Sequence, residues 1–224
     1  MSMLCFSAAA PPFMKNGFVL ACERTREAVY IDPGDEVDEL LATIASERLT
    51  TVAILLTHAH VDHVSGVARA KRVLKAPIWL HAADQSLYER AAGQGLLFGL
   101  RIEQPPPVDR YYQGDGPWGR FGDYEITVEH TPGHCPGNVC LAAYRTGPPR
   151  VLEGLFVGDT LFAGSIGRTD LPGGDYETLL QAITTTLFKY PDEAVVYSGH
   201  GPDTTIGRER ATNPFVLEWM AQRP

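Results

Sequence analysis

Cysteine is scarce in this 224-residue chain: Cys5, Cys22, Cys135 and Cys140, with no CxxC pair. A disulfide framework is thereby excluded as the source of stability, and reduced thiols in a cytoplasm are the expectation. No stretch approaches the roughly 18 apolar residues of a membrane-spanning helix, so no membrane partner is expected. The first 13 residues lack a cationic start and are broken by Pro11 and Pro12, which argues against a secretory leader. Positive charge is also short, with 19 Lys plus Arg against 27 Asp plus Glu and a net charge of -8. That excludes the broad basic footprint of a nucleic-acid binder, while a local anion pocket built around bound cations stays open.

What is present suits one globular domain spanning 1–224. Hydrophobic residues make up 44% of the chain, and the 22 Gly and 17 Pro are scattered in turns between apolar runs. Strands are predicted over 17–22, 28–31, 51–56, 78–80, 124–129, 139–144, 155–157 and 194–197. Helices are predicted from a cap at Asp35 to Thr50, and over 64–75, 84–92 and 176–189, the last capped near Asp175. Residues 93–119, stiffened by Pro105-Pro106-Pro107, read as a long surface excursion able to cover a site. The order suits two packed sheets with helices outside.

Three of the seven histidines fall within six residues, at His58, His60 and His63, with Asp62 among them, just past an apolar strand. In extended backbone, side chains two apart share a face, so His58 and His60 can converge on one cation while a turn aims Asp62 and His63 elsewhere. A metal needs three or four ligands, so further donors must come from other strand ends. His134, Asp159 and His200 sit in Pro-Gly-His, Gly-Asp and Gly-His-Gly, where backbone can approach an ion closely. The expected partition is His58, His60 and His134 for one ion and Asp62, His63 and His200 for a second, with Asp159 bridging. Nitrogen and oxygen donors without thiolate suit zinc first, with iron or manganese open.

The HxHxDH run, Thr131-Pro132-Gly133-His134, Gly158-Asp159 and Gly199-His200 resemble the metallo-β-lactamase superfamily over nearly the whole chain. Residues 57–66, 158–162 and 164–170 are similar to small bacterial glyoxalase II-like hydrolases. The resemblance implies an α/β fold, the αββα sandwich, with a binuclear site on its edge. It also implies hydrolysis of glutathione thioesters such as S-D-lactoylglutathione by a metal-bridging hydroxide. Asp62 and Asp159 would be the catalytic carboxylates. The larger enzymes of that group continue into a helical substrate-binding domain, which is not expected here. They hold a glycyl carboxylate with a Lys, two positions before an aromatic. Arg168 and Asp170 stand at those positions, so Arg168 either grips a carboxylate or pairs with Asp170.

Two rival functions remain. A persulfide dioxygenase of the same superfamily would use one iron on His58, His134 and Asp159, and a non-catalytic metal-binding module would need no substrate at all. His81 and His130 read as structural, with a ligand-orienting role the alternative for His130, and Cys135 reads as a packed side chain. Tyr111, Tyr112 and Trp118 read as packing. The expected partner is a small-molecule thioester, and the protein is expected to be a monomer or homodimer.

Overall fold

Residues 18–22 decide the layering. Successive side chains of a strand point to opposite faces, and here both faces are buried: Phe18, Leu20 and Cys22 enter one apolar cluster, Val19 and Ala21 another. A strand apolar on both sides must be covered twice. The computed structural model, which describes residues 3–222, shows how.

The first sheet contains β1 (Met3–Ala10), β2 (Lys15–Cys22), β3 (Glu27–Ile31), β4 (Thr50–Leu55), β5 (Ile78–Leu80) and β6 (Arg110–Tyr111) in that spatial order. β1 to β3 are antiparallel, and β3 to β6 run parallel. The second half of the chain supplies β7 (Gly116–Phe121), β8 (Tyr124–His130), β9 (Val139–Arg145), β10 (Val151–Gly158), a short ribbon of β11 (Leu161–Phe162) and β12 (Ser165–Ile166), then β13 (Val195–Ser198) and β14 (Thr204–Thr205). The second sheet has the order β14-β13-β10-β9-β8-β7.

Between the sheets, Phe18, Leu20, Ile31 and Leu55 pack on Phe121, Ile126, Leu141 and Phe156. On the outer face of the first sheet lie α1 (Val37–Ser46), α2 (Val61–Val64), α3 (Val67–Leu74), α4 (Gln85–Tyr88) and α5 (Ala91–Leu97), with Leu40, Ile44, Val67 and Tyr88 against Tyr30 and Ile54. The second sheet is covered by α6 (Tyr176–Thr185), α7 (Ile206–Thr212) and α8 (Pro214–Ala221), through Leu179, Leu180, Ile183, Ile206 and Val216. This single-domain αββα sandwich is the predicted architecture. Among the described residues no helix is long and apolar enough to cross a membrane.

Several local expectations are corrected. Glu36, not Asp35, stands at the start of α1; the Asp35 carboxylate instead accepts from Ser65 Oγ at 2.9 Å. The helix stops at Ser46 because Arg48 takes a left-handed φ of 53°, which turns the chain into β4. The helix predicted over 64–75 is α3, beginning at Val67, and the short α2 before it is parted from it at Gly66, where a Cβ would lie 2.3 Å from Gly34 O. The predicted 84–92 helix is two pieces, α4 and α5. The excursion 93–119 holds the end of α5 together with β6 and the start of β7. The 176–189 helix ends at Thr185, followed by a separate 3-10 turn over Leu187–Lys189, and Asp175 caps it as expected, accepting from Thr178 N at 2.7 Å. β1, β14, α7 and α8 were not foreseen.

Strand ends from both sheets meet at one edge, stitched by backbone hydrogen bonds. Val139 N donates to Thr57 O (2.9 Å), Gly199 N to Gly158 O (2.8 Å), Asn16 N to Gly199 O (2.7 Å) and Asp32 N to Leu55 O (3.0 Å). Everything chemically active in the sequence lies just beyond those ends.

Candidate metal centre and active site

β4 runs out at Leu55, the chain bends at Thr57, and His60 is extended as α2 begins. His58 and His60 therefore precede the helix, while its first turn carries Asp62 and His63. His134 comes from the β8–β9 connection, Asp159 from the end of β10, and His200 from the end of β13. Gly199 lets the last two segments close in: a Cβ there would lie 2.2 Å from Asp159 Oδ1 and 2.7 Å from His63 Cε1. His58 and His63 are fully buried, and His60, His134 and Asp159 nearly so.

The structure brings all seven predicted donors together in two groups. His58, His60 and His134 form one; Asp62, His63, Asp159 and His200 form the other, and within each group one ligand atom per residue lies within 4.8 Å of all the rest. Asp159 touches both, with Oδ2 3.6 Å from His134 Nε2 and 3.6 Å from His200 Nε2, and Oδ1 3.2 Å from His63 Nε2. His60 Nδ1 and His134 Nε2 face each other at 2.7 Å, and His200 Nε2 lies 3.0 Å from Asp62 Oδ2.

Hydrogen bonds from behind fix which nitrogen of each ring faces the cluster. Asp32 Oδ2 accepts from His63 Nδ1 at 2.9 Å, and Arg168 O accepts from His134 Nδ1 at 2.8 Å. Thr57 Oγ1 donates to Asp32 Oδ2 at 2.5 Å, so it accepts from His58 Nδ1 at 3.1 Å. In all three rings Nε2 is left to point inward. His58 Nε2, His63 Nε2 and Asp159 Oδ1 are buried with no hydrogen-bond partner; the 3.2 Å approach of the last two is misaligned. Orphaned buried polar atoms are costly. Three of them converging among imidazoles and carboxylates fit a divalent cation, which takes such nitrogen and oxygen donors.

The electrostatics agree. Burial, then the neighbouring imidazoles, pushes His58 well below the ordinary histidine range and takes His60 down to about 3, so both rings are neutral and able to ligate. For His63 burial acts downward, but Asp159, Asp62 and the bond to Asp32 outweigh it and raise the ring to about 10. Burial acts upward on Asp62 and Asp159, yet the adjacent histidines, His63 foremost, hold both below the carboxylate range. Neutral imidazoles and charged carboxylates thus face one another in a buried pocket, a donor set that suits a divalent cation.

Other predicted residues fall elsewhere. Arg168 lines the same cavity of about 400 Å³, but its guanidinium forms a bidentate pair with Asp170, 2.7 Å on each arm. His130 does not orient a ligand: its Nε2 bonds Pro136 O at 2.8 Å, and its ring stacks on His81 at 4.3 Å. Cys135 is packed and buried, and its thiol donates to Asp84 Oδ2 at 3.1 Å. Sequence reasoning missed Asp32, Thr57 and Asp84 as supports. Asp84 accepts from Ala59 N (3.1 Å) and Gly137 N (2.6 Å), tying the HxHxDH segment to the His134 loop. The available signal for Asp32 was its place directly after a buried strand; it adopts φ 50°, a strained setting for a non-glycine residue.

Fold and donor cluster together define an αββα protein with a candidate divalent-metal site at its sheet edge. The chain belongs to the metallo-beta-lactamase superfamily, whose family model matches residues 10–200. Among its relatives, hydroxyacylglutathione hydrolase GloC of Haemophilus influenzae is 36% identical over 192 residues, spanning 85% of this chain and 88% of that protein. The crystal structure of BLEG-1 B3 metallo-beta-lactamase is 38% identical with a TM-score of 0.85, covering 95% of this chain and 99% of the other. That of TTHA1623 in a di-iron-bound form is 41% identical with a TM-score of 0.79, covering 94% and 99%.

Proposed function

We infer that the protein hydrolyses glutathione thioesters of the S-D-lactoylglutathione kind, using two divalent ions, zinc first with iron or manganese as alternatives. The observation that carries this reading is the second donor group. A mono-iron dioxygenase needs only His58, His134 and Asp159, whereas Asp62, His63 and His200 here gather with Asp159 as a further group of candidate donors, and Asp159 Oδ2 also comes within 3.6 Å of His134 Nε2. The relative named hydroxyacylglutathione hydrolase supports the substrate class.

His58, His60, His134 and Asp159 would hold one ion, and Asp62, His63, His200 and Asp159 the other. Bound there, the pair would acidify water and polarise the thioester carbonyl. The chain's own groups supply orientation. Asp32, Thr57 and the Arg168 carbonyl lock the tautomers of three rings, so no rearrangement is needed at the moment of reaction. Asp62, at the mouth of the cluster beside His200, orients the attacking water. The carbonyl–sulfur bond breaks and the thiol leaves, so no Ser or Cys nucleophile is required. Arg168, exposed on the cavity wall, is placed to meet a substrate carboxylate if it exchanges Asp170 for it.

The test is purified protein of measured metal content, assayed for S-D-lactoylglutathione hydrolysis and, separately, for oxygen uptake with glutathione persulfide. Thioester cleavage is expected. Oxygen uptake without cleavage would establish the dioxygenase instead, and neither activity would leave a metal-binding module.

A further inference from the structure

The metal-centre cavity does not end at the cluster. A second cavity of about 400 Å³ opens beside it, and His60, Gln94, Phe98 and Leu171 line both. Its remaining wall is Leu87, Leu97, Pro172 and, at the rim, Arg90. The α5 segment that forms it is fixed to the HxHxDH stretch: Gln94 Nε2 donates to Ala59 O at 3.2 Å and to Leu87 O at 2.8 Å. Phe98, which lines both cavities, meets Phe13 of the first edge to face at 5.5 Å.

Just here the chain exposes three consecutive apolar residues, Leu96, Leu97 and Phe98, at 63%, 86% and 50%. Such a run on a surface calls for a function. A thioester has two arms. The glutathione arm carries two carboxylates and suits the polar side of the metal-centre cavity, where Ser165, Arg168 and His200 lie. The apolar side offers no donor set for carboxylates beyond Arg90 at its edge. We propose that this groove is an acyl-chain subsite, so that within the glutathione thioesters the hydrolase cleaves those of apolar, medium-length acyl groups in addition to the small polar lactoyl group. This rests on the thioester-hydrolase reading above.

Two measurements test it, one free of turnover. Across S-acylglutathiones from acetyl to octanoyl, kcat/KM is expected to rise about fourfold per methylene over the first several carbons, the value of roughly 0.8 kcal/mol for each one buried. Calorimetric titration should show octanoate bound at least about tenfold more tightly than acetate, the carboxylate being common to both. Leu97→Asp, at an exposed position that tolerates polarity, should flatten the series and erase the octanoate advantage; Phe98→Ala should do so in part. Lactoyl and acetyl thioesters cleaved with a flat series, and octanoate bound like acetate, would remove the subsite and leave the hydrolase standing. Tight octanoate binding without any thioester cleavage would keep the subsite and overturn the hydrolase. If wild type self-associates while Leu97→Asp is monomeric with an unchanged series, the apolar run is an interface between copies and the subsite is wrong.

Discussion

Replacing Asp32 by Asn probes the support behind the metal centre, because it keeps the shape and reverses one hydrogen-bond role. Asp32 Oδ1 accepts from Thr57 N at 2.7 Å, and Oδ2 accepts from both Thr57 Oγ1 and His63 Nδ1. The carboxamide can keep the first bond with its oxygen, but it then aims an NH2 at two donors. In the neutral ring that an ion requires, the single proton can then no longer sit on Nδ1 against that NH2 and moves to Nε2, the atom that faces Asp159 and Asp62. A protonated nitrogen cannot ligate. Losing a partner that orients a ligating histidine typically costs 10–100-fold in metal affinity or activity, so Asp32→Asn should weaken one of two ions by about that factor. Asp32→Ala goes further, leaving the buried Thr57 N–H and His63 Nδ1–H unpaired at about 1–3 kcal/mol each, hence a loss of about 2–6 kcal/mol in stability. Competition with a fluorescent chelator reads the affinities, and urea unfolding reads the stability. A folded Asp32→Asn protein that binds both ions like wild type would refute the tautomer argument.

Gly199→Ala would drive a methyl into Asp159 Oδ1 and His63 Cε1; activity should fall at least about tenfold with the circular dichroism spectrum unchanged, and full activity would show that the cluster tolerates displacement. Glu36→Ala would strand the buried Lys15 ammonium, which pairs with Glu36 Oε1 at 3.1 Å; breaking such a pair costs about 3–5 kcal/mol, visible as a lower urea midpoint, and an unmoved midpoint would contradict it. Against burial, Asp159 and Asp62 lift His63 to about 10, so at pH 7 an entering ion must displace its proton. Affinity for that ion should therefore rise with pH, by about tenfold per unit below the histidine pKa. Calorimetry in buffers of differing ionisation enthalpy should find about one proton released there, and no release would count against the assignment.

The candidate donor residues were legible because each stands just beyond an apolar strand or in a glycine-flanked turn. Their supports were not. Asp32 reaches His63 and Thr57 across 31 and 25 positions, a pairing that exists only once β3 and β4 lie side by side. β1 was obscured by its alanines and by Pro11-Pro12, although eight of its residues pair with β2; as an edge strand it needs little side-chain signal of its own. The subdivision of residues 61–74 follows from a close backbone approach, Gly66 to Gly34 O, invisible to periodicity. Arg168 shows the opposite lesson: its guanidinium was the expected feature, but its backbone carbonyl holds His134.

In the proposed centre one carboxylate, Asp159, serves two ions, and metal content measured by plasma mass spectrometry on wild type and Asp159→Ala, loaded and desalted alike, tests this most directly. Two equivalents per chain in the wild type and loss of both in the variant is the expected result. A single equivalent in the wild type, or a count that Asp159→Ala leaves unchanged, would contradict the shared centre.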